Sequence, residues 1–201
     1  MSIEWFSRFG DVPGVTYETP VGINRARMKG ASDRPEVVSY GEGRQSLSWR
    51  TKGGSTSASP AHERAFTGAS DKSSSALARH LYETLELPGQ VGDYHFAIQF
   101  VVDELWKRRR DDQAVFSLME RVAWLDVDLV RARPDAITNE HNDTPRFYRV
   151  TSFDRLITLY EREGALHEAL EVAEIAARFE QHGAKRDELT ERISRLAGEG
   201  A

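Results

Sequence analysis

The chain changes character near residue 75, and that break limits what it can fold into more than any single motif does. Thirteen of its 16 serines and nine of its 15 glycines lie in residues 1–75. Serine and glycine favour turns and weaken helix interiors, whereas residues 76–201 are rich in Leu, Ala, Glu and Arg, which are good helix formers. Charge divides at the same place. The first part carries 10 Lys and Arg against 8 Asp and Glu, and the second carries 17 against 24. The sequence therefore reads as a mainly α protein in three stretches. Residues 1–52 form a turn-rich part with short strands, residues 53–75 a flexible linker, and residues 76–201 an all-α domain, as a helical-repeat array or a helical bundle.

Within the first part, Val15–Thr19, Glu36–Tyr40 and Ser46–Thr51 have strand character. The last two flank Gly41-Glu42-Gly43-Arg44, which predicts a β-hairpin with a longer loop. Gly53 to Ser75 has 13 Gly, Ser, Thr or Pro among 23 residues and one large apolar residue, Phe66, so it lacks the burial to offset its ordering entropy.

The second part predicts six helices. Ser73–Ser75 can cap the first, over 76–86, which Pro88-Gly89 ends. Asp93 can cap a second that runs to Arg110; its apolar residues cover most of the circumference, which marks a central helix. A third starts at Asp111-Asp112 with the stripe Val115, Leu118, Met119, Val122, Leu125, Leu129, and Pro134 closes it. Helices over 152–163, 166–182 and 185–197 follow, with Gly164 and Gly183 placed as C-cap glycines. On this division a fragment of residues 73–201 is expected to fold alone.

Within the fourth and fifth of these helices, Phe153, Leu156 and Tyr160 lie on one helix, Gly164 at the turn, and Ala169 and Ala176 on the next. This spacing resembles a tetratricopeptide repeat, a helix pair of about 34 residues that stacks into arrays. Ile157, Ala173 and Gln181 depart from the pattern, standing where that family has Gly, a large aromatic and Pro. A degenerate second copy can be laid over Ile98, Val101, Leu105, Ala114 and Leu118, without a turn glycine. The resemblance implies that the first helix of the pair lines a concave surface, which puts Thr151, Asp154, Thr158, Glu161 and Arg162 on it.

Other motifs are incomplete. His167-Glu168 begins like the zinc-protease pattern, but Glu171 stands where the second His is required. Lys52-Gly53-Gly54-Ser55-Thr56 has a phosphate loop's residues in the wrong order. Gly68 to Lys72 lacks the final glycine of a nucleophile elbow. Asp135, Asn139, Glu140, His141, Asn142 and Asp143 gather oxygen ligands in one loop, but their spacing fits no known calcium loop. With no cysteine, thiol chemistry, disulfides and thiolate–metal sites are excluded. No cofactor and no metal are expected.

The longest apolar run is four residues, Val122–Leu125, and Met1–Gly10 has no signal-peptide pattern, so a cytoplasmic protein is expected. The leading function is a non-enzymatic scaffold that binds a protein or peptide partner through the helical groove. The charge of the helical part favours a basic or mixed-charge partner. The alternative is a nucleic-acid-associated regulator using two basic sets: Lys107, Arg108, Arg109 and Arg110, and Arg25, Arg27, Lys29 and Arg34. A net charge of −5 speaks against it. An enzyme with a site around Asp33, Glu36, Arg25 and Arg27 is a third reading, which no motif supports.

Overall fold

A computed structural model describes residues 4–41, 44–51, 53–67, 73–110, 113–139 and 146–199. Its described part is mainly helical, with a small antiparallel sheet near the N-terminus. Strand β2 (Arg44–Thr51) is central, between β1 (Glu36–Tyr40) and β3 (Gly54–Thr56). Val38 pairs with Ser46, Glu36 with Ser48 and Trp49 with Thr56. The expected hairpin is therefore present and gains a third strand. In β2, buried Leu47 and Trp49 alternate with more accessible Ser46, Ser48 and Arg50, the period of a sheet with one covered face.

The stretch read as a linker holds structure. Besides β3 it contains helix α1 (Pro60–Ala65), with Ala61 and Ala65 buried. Ser59 caps this helix by accepting from the His62 N–H, and Pro60 occupies the first turn, where its missing N–H costs nothing. Ser59 also donates to Asp93, tying the cap to the third helix at 2.7 Å. Burial here needs no large apolar side chain because the backbones come close. A Cβ on Gly89 would lie 2.9 Å from the Ala61 Cβ, so glycine is required where the 88–89 turn meets α1.

The helical part is α2 (Ser74–Leu85), α3 (Val91–Arg108), α4 (Val115–Ala132), α5 (Thr151–Glu163), α6 (Leu166–Ala177) and α7 (Gly183–Glu199). Each packs on the next, and α3 also touches α1 and α5, which makes it the central helix its apolar circumference predicts. A two-stranded ribbon, β4 (Thr138–Asn139) with β5 (Arg146–Phe147), lies between α4 and α5. Asp93 sits one turn inside α3 and accepts from the Gln90 N–H, so the cap is Gln90 rather than Asp93. Gly164 is left-handed (φ +75°) and ends α5 as expected. Gly183 does not end α6. That helix stops at Ala177, the turn uses Glu180 and His182 in the left-handed region, and Gly183 opens α7.

The N-terminal part is not a separate body. Phe6 and Gly89 exchange backbone hydrogen bonds at 2.8 and 3.1 Å. Phe9 is fully buried, edge-on to Tyr94 of α3, and shares the main core with Val12, Ala31, Ala61 and Ala65. Arg25 donates to three carbonyls, those of Ser7, Ala31 and Glu86, and so staples the loop to the end of α2. Thr19 donates to the buried Glu86 carboxylate.

Candidate functional site

The direction of the helices follows from side-chain contacts between α3 and α5. Gln99, Asp103 and Trp106 occupy successive turns of one α3 face. Gln99 accepts from the Thr151 N–H, Asp103 from Arg155, and the Trp106 ring lies under Arg155 and Arg162. Numbers rise together on both helices, so α3 and α5 run side by side in the same direction. Helix α4 makes the return and packs on both. A second set of contacts repeats the relation on the other flank of α5. Asp154 lies 3.1 Å from His182, and Glu161 pairs with Lys185 at 3.4 Å and Arg192 at 3.9 Å. Helices α3, α5 and α7 thus form one layer, with α4 and α6 behind it.

The residues expected on a concave face all lie in this layer. Thr151 and Arg162 border α3, and Asp154 and Glu161 border α7. Thr158 lies between, its hydroxyl returned to the Asp154 carbonyl. They do not form a free polar row, because Asp154 and Glu161 are engaged in ion pairs. Burial pushes the Asp154 carboxyl up, but hydrogen bonds and charge from His182 and Arg149 outweigh it and hold its pKa at about 2. Lys185 is raised by its bond to Glu188 and by Glu161.

The basic run at the end of α3 is divided by the fold. Lys107 and Arg108 both reach Glu104 on their own helix, at 2.5 and 3.8 Å. Arg109 turns back, placing its guanidinium 4.3 Å from the Trp106 ring centre and donating to the Trp106 carbonyl. Arg155 and Arg162 stand over the same ring at 5.1 and 5.6 Å. Three guanidinium groups from two distant stretches of the chain therefore converge on one indole, each favoured by the ring's negative face. Partial desolvation lowers the Arg109 pKa, and the charges of Arg110, Arg162 and Arg155 lower it further. The sequence patterns place Arg109 and Arg162 in rival functional sets and leave Arg155 and Trp106 unmarked. The i, i+7 spacing of Arg155 and Arg162 was the available signal.

The second basic set does not assemble likewise. Arg25 is used as the loop staple, while Arg27, Lys29 and Arg34 are exposed. Of the acidic loop, Asp135 forms a paired contact with Arg133 at 2.9 and 2.6 Å. Glu140, His141, Asn142 and Asp143 lie outside the described residues, as does the Asn139 side chain. Among the described residues, no group of three or more His, Asp or Glu is arranged to hold a metal.

A Ser–His–Asp grouping does occur in the core. Asp126 of α4 accepts from His95 of α3 and from Ser152 of α5, both at 2.6 Å, and all three side chains are fully buried. A serine nucleophile needs a base at its hydroxyl and access to substrate. Here the hydroxyl is spent on the carboxylate inside the protein, so the trio joins three helices and makes no nucleophile.

No protein family, curated protein or solved structure matches the chain. Among the described residues no helix is long and apolar enough to cross a membrane.

Proposed function

We propose that the protein is a non-enzymatic interaction module that holds an acidic segment of a protein partner against the α3–α5–α7 layer. The convergence of Arg109, Arg155 and Arg162 on Trp106 carries this reading. Contact with the ring restrains the guanidinium groups, so less freedom is lost when a carboxylate is bound. Arg155 is already shared with Asp103, which leaves Arg109 and Arg162 as the groups that face a partner. The parallel helices of one layer, with return helices behind, are the arrangement a tetratricopeptide-like array uses for its groove. The charge of the whole helical part favours a basic or mixed partner, but recognition is set within about a Debye length of the surface, where this end of the layer is cationic.

A protein segment is favoured over nucleic acid because the chain as a whole is acidic, with a net charge of −5. A long polyanion meets that field, whereas a short acidic segment meets only the local patch. Fluorescence anisotropy with a labelled 15-residue Glu-rich peptide tests the reading, beside capture from native lysate. The double change Arg109→Ala, Arg162→Ala is expected to weaken peptide binding about tenfold or more, as loss of charge-assisted contacts should. Arg50→Ala, outside the layer, leaves it unchanged. Tighter, steeply salt-dependent binding of a single-stranded oligonucleotide, lost in the same double variant, would transfer the patch to nucleic-acid binding.

A further inference from the structure

The outer surface of α3 is not charged along its whole length. Phe96, Phe100, Asp103 and Lys107 follow one another at i, i+4, i+7 and i+11, so they form one ridge along the helix. The ridge lies opposite Ile98, Val101 and Leu105, which are buried in the core. On one flank Phe100 meets Phe66, the residue that ends α1, at 5.7 Å between ring centres. Phe96 meets Tyr148, in the segment before α5, at 5.9 Å. Four aromatic rings from three stretches of chain are thus gathered in one row. Phe66, Phe96 and Tyr148 are 49%, 38% and 41% exposed, so these rings meet solvent. Asp103 stands one turn from both Phe100 and Trp106, which joins the row to the arginine patch. Apolar side chains gathered at a surface beside charge mark a place where another molecule binds.

Geometry and charge select the occupant. The Phe66 and Phe100 planes lie 70° apart and those of Phe96 and Tyr148 67°, so neither pair offers the common plane on which successive bases stack. Apolar side chains have no such requirement, because burial of apolar area is non-directional. Along the ridge charge is matched, Asp103 with Arg155 and Lys107 with Glu104. Cationic groups face outward only at its end, as Arg109 and Arg162 around Trp106. An occupant complementary to both parts is apolar over Phe96 and Phe100 and acidic beyond them. Trp106 lies six residues after Phe100 and ten after Phe96. Those intervals are about 9 and 15 Å of helix, which an extended chain spans in about three and five residues.

We propose that the acidic partner segment also carries two apolar anchors, side chains of Leu or Phe size set about three and five residues from its acidic run, and that these dock on the aromatic row. This rests on the reading of Arg109 and Arg162 as the site of an acidic segment. Fluorescence anisotropy with the full-length protein compares two labelled Glu-rich peptides of equal length and charge. One carries leucines at the two anchor positions and the other serines. The leucine peptide should bind about tenfold tighter, as burial of a single leucine side chain permits. Phe66→Ser with Phe96→Ser, both at exposed positions, should erase that difference, leaving the serine peptide's affinity and the helical circular dichroism unchanged. Val37→Ser, at an exposed apolar position on the sheet, should erase nothing. Arg109→Ala with Arg162→Ala should weaken both peptides and keep the leucine advantage. Equal binding of the two peptides by the parent overturns this inference and leaves the arginine reading standing, whereas binding of neither overturns both. A leucine advantage that survives Phe66→Ser with Phe96→Ser overturns it too, since the anchors would then dock elsewhere. So does a dimer, seen by sedimentation, that the same double variant dissolves, because a second copy of the chain would then cover the rings.

Discussion

Residues 4–67 and 73–199 are held together in different ways. In the helical part, apolar stripes recur every three or four residues, and each helix buries its stripe along a whole neighbour. Stability there is spread over many side chains, and a loss at one position is shared. The N-terminal part has short strands, one six-residue helix and long irregular stretches, so it is secured at points. Phe9 is one such point, Arg25 another, and the approach of α1 to Gly89 a third. Each point also completes the helical part, because α2, the 86–89 turn and α3 supply the other side of the contact. Composition separates the two regions clearly, yet composition reports how a segment orders itself and not whether it stands alone.

The strongest way to break this comparison is to remove one region. A fragment of residues 73–201 would take Phe9, Val12, Ala31, Ala61 and Ala65 out of the core that they share with the helices. Burying a side chain of Val or Phe size is worth about 1.5–3 kcal/mol, so the loss is expected to exceed about 5 kcal/mol. A thermal melt followed by circular dichroism should show a helical fragment that unfolds at a much lower temperature and over a broader range than the full chain. A sharp melt at the full-length temperature would restore the reading of two independent parts.

Within the helical part the comparison predicts one exception to shared losses, the buried trio. Asp126→Ala leaves the His95 ring nitrogen and the Ser152 hydroxyl without their partner in the core. Breaking a buried charge-assisted network of this kind costs about 3 kcal/mol or more. Urea denaturation should show that loss, and the triple change Asp126→Leu, His95→Phe, Ser152→Ala should recover much of it. A single variant as stable as the parent would mean that the trio is not formed.

How far the sequence carried depended on whether a feature is local. The α5–α6 turn was legible because Gly164 in the left-handed region is a one-residue signal, and the β1–β2 hairpin because two strand patterns flank a glycine pair. Helix α1 was not, since its buried positions are alanines, which add no hydrophobic periodicity. The Ser59-Pro60 pair, a cap followed by a first-turn proline, was the signal available for it. Asp126 meets His95 and Ser152 across 31 and 26 residues, and Trp106 meets Arg162 across all of α4 and the ribbon. No spacing rule reaches that distance, so the arginines were assigned to two rival functions before the fold put them on one ring.

The α5–α7 flank sharpens the comparison through pH. Asp154 has a folded pKa near 2 against an ordinary value of 3.8, so its contribution is fully present above about pH 4 and is lost as pH falls toward 2. The side chain is 17% exposed, and the shift corresponds to at most about 2 kcal/mol. Asp154→Asn should be less stable than the parent at pH 7 by up to that amount. The gap should close on acidification from pH 4 to pH 2, measured as urea midpoints at each pH. A gap that stays constant across the window would mean that Arg149 and His182 do not stabilise the ionised carboxyl.

The smallest expected effect is a gain, and it tests whether the helical part also contains a place secured at a point. Between α6 and α7, Glu180 (φ +59°) and His182 (φ +57°) both adopt the left-handed region that favours glycine. They hold Gln181 between them. Its side-chain oxygen accepts from the Val150 N–H and its amide donates to the Tyr148 carbonyl, both at 3.0 Å, which clamps the approach to α5. His182 has a role of its own beside Asp154, whereas Glu180 is exposed. Glu180→Gly should therefore relieve the backbone without losing a contact, a gain of up to about 1 kcal/mol reduced by the extra freedom of glycine in the unfolded chain. His182→Gly should instead destabilise, because it removes the Asp154 partner. Gln181→Ala should release the 148–150 segment and speed amide exchange at Val150 while leaving the α6 amides protected. Should Glu180→Gly lower the melting temperature, the turn is held by Glu180 itself and the clamp has been placed on the wrong residue.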